Sequence, residues 1–126
     1  DLNLTSVVCR VDAGDRSFLF TGDMEKKAEN DLIAAGADLS ADVLKVGHHG
    51  ASTSSTADFL AEVDPVCSVI SVGEGNSYGH PTAATLERLN GYGPVYRTDL
   101  LGEIRITTDG VSLWVESDNG ELEQLL

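Results

Sequence analysis

A chain of 126 residues with 41% hydrophobic and 23% charged side chains has the makeup of one soluble globular domain, residues 1–126, long enough to bury a core. No apolar run approaches the roughly 20 residues of a membrane helix, and no charged-then-apolar leader opens it. A net charge of -13 rules out a basic nucleic-acid groove built from this chain alone. Two cysteines, Cys9 and Cys67, with no CxxC pair, argue against a disulfide framework or a thiolate zinc site and for two small buried hydrophobes.

Leu4 to Val11 alternates and is rich in Val and Thr, which predicts a strand. Asp12-Ala13-Gly14-Asp15 signals a turn, and Ser17 to Thr21 a second strand completing a hairpin. Met24 to Ala35 has helical spacing at Met24, Ala28, Leu32 and Ala35, with Gly36 at its end. Asp23 suits the N-cap of that helix. Asp42 to Gly47 is a compact strand, Thr56 to Val63 a short helix, and Val66 to Val72 another strand. A glycine-rich loop, Gly73 to Gly79, reaches His80, and Pro81 fits the first position of a helix to Leu89. The tail reads as a meander of Val95–Arg97, Gly102–Thr107 and Val111–Glu116, with a hairpin turn at Asp109-Gly110. Ser117 to Gln124 is polar and reads as a frayed terminus.

The middle of the chain thus runs β-α-β-α-β, which predicts parallel strands whose C-terminal ends share one edge. Ligand sites form at such edges. Asp23 follows the first of these strands, His48 and His49 the second, and His80 comes shortly after the third. These are all three histidines of the chain and one favourably placed carboxylate. Imidazole nitrogen and carboxylate oxygen suit zinc, manganese or iron. A metal-free acid-base pair of histidines is the other chemical option. Adjacent strand residues face opposite sides, so His48 and His49 divide the work: one binds metal, the other orients a ligand or contacts substrate. The Ser52 to Thr56 loop opens a helix, and Ser52 is placed there to hold an anionic substrate group through backbone N–H and hydroxyl groups, unless the loop simply caps the helix. Tyr78 beside His80 offers a ring on which substrate can stack.

Together TGD (Thr21 to Asp23), VLKVGHHGASTSS (Val43 to Ser55), SYGHP (Ser77 to Pro81) and TDLLGEIRI (Thr98 to Ile106) resemble the C-terminal half of the metallo-β-lactamase-fold domain of the ComEC family, the channel proteins of DNA uptake in bacterial competence. The resemblance covers nearly the whole chain. It implies an α/β fold, half of a four-layer αββα sandwich, with a mixed sheet carrying helices on one face. It implies two divalent metal ions, zinc or manganese, between the two halves. On this resemblance Asp23 bridges the metals, His49 is a ligand, His80 is the last ligand or stands beside it, and His48 is left to catalysis or substrate contact.

The first-half signature of HxHxDH or HxDxDH type does not occur in this chain. The chain therefore reads as the second half of a domain whose first half precedes Asp1, and as inactive alone. The resemblance implies a soluble domain of a bacterial plasma-membrane protein, on the extracellular or periplasmic side. The parent's expected activity is a metal-dependent phosphodiesterase or DNA nuclease. Its rivals are a hydrolase of a small phosphoester or (thio)ester and a folded module without catalysis. The expected partners are the first half of the domain, a DNA strand, and a second copy of the chain through the sheet face that the missing half would leave exposed.

Overall fold

In the computed structural model, residues 7–126 are described; residues 4–6 of the first predicted strand lie outside them. Strand β1 (Cys9–Ala13) and β2 (Arg16–Phe20) form an antiparallel hairpin. Its turn is tighter and later than the sequence suggests, because Gly14 at φ +61° closes it in two residues and leaves Asp12 and Ala13 in the strand. Helix α1 (Lys26–Ala34) leads into β3 (Val43–Lys45), α2 (Ala57–Val63) into β4 (Cys67–Ile70), and α3 (Ala83–Asn90) into β5 (Val95–Arg97). The sheet order is β1-β2-β3-β4-β5, and β2 to β5 are parallel. A one-turn helix, α4 (Thr98–Leu101), then leads to a second sheet of β6 (Ile104–Thr108), β7 (Leu113–Ser117) and β8 (Gly120–Gln124).

Two expectations for the tail are corrected. Val95–Arg97 joins the parallel sheet instead of a meander, because α3 returns it beside β4. The polar segment expected to fray is strand β8, which pairs with β7 through Trp114↔Gln124 and Val115↔Glu123. Backbone pairing holds it, so its exposed, polar side chains give no apolar signal.

Period-two alternation sorts the first sheet's side chains into two cores. Leu19, Leu44, Val46, Ile70 and Val72 meet Met24, Phe59, Leu60, Val63 and Leu89 on the helical side. Each buried aliphatic there contributes about 1.5–3 kcal/mol. Phe18, Val43, Cys67, Val69 and Tyr96 face the other way and meet Ile106 and Leu113 of the second sheet. That second layer covers its face incompletely. Phe18, Phe20, Val43, Val69, Ile104 and Ile106 line an open apolar groove of about 230 Å³, and Phe20 is 46% exposed. Among the described residues no helix is long and apolar enough to cross a membrane.

Candidate functional site

The C-terminal ends of β2, β3 and β4 carry three loops, and backbone contacts stitch them together. Thr21, fully buried, donates its hydroxyl to the Lys45 carbonyl at 2.6 Å, tying the end of β2 to that of β3. The His48 N–H donates to Gly22 O at 2.9 Å, and the Thr82 N–H to Gly50 O at 3.1 Å. The glycines flanking the histidine pair are dictated by these approaches. A Cβ on Gly47 would lie 2.9 Å from Met24 O, and one on Gly50, at φ +79°, 2.6 Å from Pro81 Cβ.

The histidines do not continue the strand. His48 (φ 49°, ψ 42°) and His49 (φ 55°, ψ 25°) occupy a left-handed turn within Gly47–Gly50. Strand alternation is therefore the wrong reason for their divergence, yet they do take different partners. His49 Nδ1 lies 2.6 Å from the Ser71 carbonyl. A carbonyl only accepts, so Nδ1 carries the proton and Nε2 is the free nitrogen. That Nε2 stands 3.8 Å from Asp23 Oδ1, and both side chains are half exposed. His48 turns the other way, its Nδ1 2.7 Å from Glu25 Oε1.

Asp23 does not cap α1. Glu25 occupies the N-cap position, and the turn in which Met24 N–H donates to Thr21 O sets Asp23 at the sheet edge. The third loop is organised by Asn76. Its side-chain N–H groups donate to the carbonyls of Gly73 at 3.2 Å and His80 at 2.7 Å. Its Oδ1 accepts from the Tyr78 and His80 amides, each at 3.1 Å. The Tyr78 and His80 rings stack at 5.8 Å, and the His48 and His80 rings meet edge-on at 5.7 Å. Pro81 precedes α3 instead of opening it, because Thr82 is the better cap and accepts from the Thr85 amide.

Asp23, His48, His49, Tyr78 and His80 together line a pocket of about 290 Å³. The topology thus brings one carboxylate and all three histidines to a single cavity. Lys45, at the end of β3, feels both the fold and this site: burial pushes its ammonium below the ordinary value, and the Asp23 charge acts in the opposite direction.

Ser52 is exposed and outside the lining of that pocket. Part of the anion cradle expected at the start of α2 is occupied by a side chain of this chain. Glu29, 1% exposed, accepts from the amides of Ser55 at 2.6 Å and Thr56 at 2.9 Å, and from the Thr56 hydroxyl at 2.8 Å. Two of the loop's N–H groups and one of its hydroxyls are thus taken by Glu29. Sequence reasoning missed Glu29, Glu25 and Asn76. Glu25 carries a weak signal, lying two residues past the Asp that ends β2; the other two carry none.

As a metal site, the donor set fits in chemistry and falls short in number. His49 has the fixed tautomer of a ligating imidazole, held by a carbonyl, and faces a carboxylate. Among the described residues, however, no three His, Cys, Asp or Glu side chains are grouped so as to hold a metal ion, whereas such sites use three or four protein donors.

A family model described as the metallo-beta-lactamase superfamily matches residues 1–74. The chain is 43% identical over 107 residues to competence protein ComA of Neisseria gonorrhoeae, covering 83% of this chain and 16% of that protein. It is 38% identical over 104 residues to ComE operon protein 3 of Bacillus subtilis (strain 168), covering 82% of this chain and 13% of that protein. Recombination protein 2 of Haemophilus influenzae is 40% identical over 105 residues, covering 82% of this chain and 13% of that protein. The chain spans less than a fifth of the length of these relatives.

Proposed function

The chain belongs to the metallo-beta-lactamase superfamily, and on that premise we propose that it supplies one half of the active site of a metal-dependent phosphodiesterase that cuts DNA during competence. The reading is carried by the meeting of Asp23, His48, His49 and His80, from three strand ends, in one pocket. Asp23 and His49 would hold metal, with His80 beside them and ligands outside this chain completing the set. Two divalent ions, zinc or manganese, supply when bound the Lewis acidity and the ionised water that such hydrolysis needs.

The chain's own residues position substrate and handle protons. The exposed Tyr78 ring, stacked on His80, is a platform for a base or sugar. His48 serves as acid or base at the pocket wall. The preceding half of the domain packs over the groove of Phe18, Phe20, Ile104 and Ile106, and the chain alone is inactive. The name of one relative, competence protein ComA, supports a setting in competence; within this proposal the domain belongs to a bacterial membrane protein and lies on its outer side.

A second reading, hydrolysis of a small phosphoester or (thio)ester, is favoured by the charge. The pocket lining holds no Lys or Arg, and the chain carries -13. The test uses the complete domain, with manganese or zinc, on single-stranded DNA and on bis(p-nitrophenyl) phosphate. The nuclease reading expects cleavage of both and loss of both in Asp23→Ala and His49→Ala. Cleavage of the small ester alone selects the second reading. Metal affinity unchanged in both variants refutes the site.

A further inference from the structure

Glu25 is used unlike an ordinary acid at a helix start. It stands at the N-cap of α1 with extended backbone, φ -118° and ψ -179°, and its side chain makes no capping hydrogen bond. An N-cap side chain ordinarily accepts from an amide of the first turn. Here the carboxylate turns away from its own helix. Its Oε1 accepts from Thr53 Oγ1 at 3.0 Å and stands 2.7 Å from His48 Nδ1, with Glu25 24% and His48 28% exposed. That Nδ1 is shielded from solvent and has no aligned hydrogen-bond partner, so the contact is short but oblique to the ring N–H. Catalytic contacts of this kind are often poorly aligned in the free enzyme and tighten when substrate binds.

Both partners are anchored from the backbone. The Lys26 N–H donates to Thr53 O at 2.8 Å, and the His48 N–H to Gly22 O at 2.9 Å. His48 also holds a left-handed conformation, which a non-glycine residue keeps only where its surroundings impose it. An imidazole with one nitrogen against a partly buried carboxylate has one polar atom left, Nε2, on a ring that lines the pocket.

We propose that Glu25 is a positioning residue for His48: its carboxylate fixes Nδ1 as the protonated nitrogen and leaves Nε2 to meet the substrate. The role of Nε2 rests on the hydrolase reading above; the tautomer does not. Which nitrogen carries the proton follows from the bond the other nitrogen makes, and a carboxylate at Nδ1 selects the Nδ1–H form.

Two-bond proton–nitrogen spectra of the ¹⁵N-labelled chain at about pH 8, where an ordinary imidazole is neutral, test this directly. The wild type should show His48 as Nδ1–H, Glu25→Gln should keep it because the amide oxygen still accepts, and Glu25→Ala should lose it while the backbone amide spectrum stays that of the folded chain. An Nε2–H pattern in the wild type, or no change in a folded Glu25→Ala, overturns the proposal. Should Glu25→Ala not fold, the wild-type tautomer decides. In the phosphodiesterase assay of the complete domain, Glu25→Ala should lower kcat about tenfold to a hundredfold at unchanged KM, and Glu25→Gln less. Wild-type kcat in Glu25→Ala, with His48→Ala inactive, overturns it too. If no form hydrolyses either substrate, the hydrolase reading falls and the tautomer result alone decides the positioning.

Discussion

Glu29→Gln should destabilise the chain by about 2–4 kcal/mol, a cost that follows from three hydrogen bonds. The carboxylate is 1% exposed. Its Oε2 takes the Ser55 amide, and its Oε1 takes the Thr56 amide and hydroxyl. Bonds to a charged acceptor contribute about 1.5–3 kcal/mol each, but taking the carboxylate out of water costs several kcal/mol, so the gross sum overstates its worth. The substitution is easier to reckon. A glutamine has one acceptor oxygen, and its NH₂ must face a donor. At least one buried N–H is orphaned, at about 1–3 kcal/mol, and the surviving bonds weaken from charged to neutral, by about 1 kcal/mol. Glu29→Ala orphans both amides and opens a void, for about 3–5 kcal/mol. Urea unfolding followed by the fluorescence of Trp114 and by circular dichroism measures both. A Glu29→Gln midpoint within about 0.5 kcal/mol of wild type would show that the desolvation cost cancels the bonds and that the carboxylate is no brace. Arg88 grips the same segment from the other side, through the Ser55 and Ser54 carbonyls at 2.9 and 3.2 Å, so the loss should stay local to the loop behind the histidine turn.

Gly50→Ala should cost about 2–4 kcal/mol, since a Cβ at left-handed φ is strained and this one would press on the rigid Pro81 ring; stability within about 0.5 kcal/mol of wild type would refute the tight seat between the histidine turn and the His80 loop. For the thiols, burial and then the Asp42 charge push Cys67 up to about 12 from 9.0, whereas Cys9, expected to be buried as well, is exposed. One thiol per folded chain should therefore react with a chromogenic disulfide reagent, and the second only in denaturant. The sign for stability follows: from about pH 9 the unfolded thiol loses its proton and the folded one keeps it, so stability should fall up to about pH 12, by at most ~1.4 kcal/mol per pH unit from this group. Tyr96, raised to about 12 first by burial, adds to the fall above pH 10. An alkaline slope unchanged in Cys67→Ala would refute the Cys67 share.

Hydrophobic periodicity carried most of the fold. The β-α-β-α-β core was legible because Leu19, Leu44 and Ile70 face the helices while Phe18, Val43 and Val69 alternate with them to the other face. The tail was not, because Val95–Arg97 is three residues long and its place in the sheet comes from α3, while β8 is exposed along its length. At the site, convergence of the histidines and Asp23 followed from strand order alone. Their orientations did not, since these come from partners distant in sequence. The Ser71 carbonyl holds His49 across 22 residues, and Glu29 reaches Ser55 across 26. Spacing left the division of roles between His48 and His49 open, and only the resemblance to a known family implies one.

The way these orientations arise bears on how the pocket's side chains are held. In a small zinc domain the ions themselves order the ligands, and folding waits for metal. Here the atoms that aim the side chains belong to the protein. A backbone carbonyl sets the His49 tautomer, an amide side chain bridges four backbone groups around His80, and a buried threonine locks the strand that delivers Asp23. These contacts set the His49 imidazole facing the Asp23 carboxylate. On the proposed metal-site reading, ligands from outside this chain would meet groups already in place, and little binding free energy would go into ordering them. Much of the hydrogen bonding at this edge, from Thr21 through Gly50 to Thr82, joins backbone to backbone or side chain to backbone, and the contacts of His48 to Glu25 and of His49 to Ser71 occupy only the Nδ1 nitrogens of the two imidazoles.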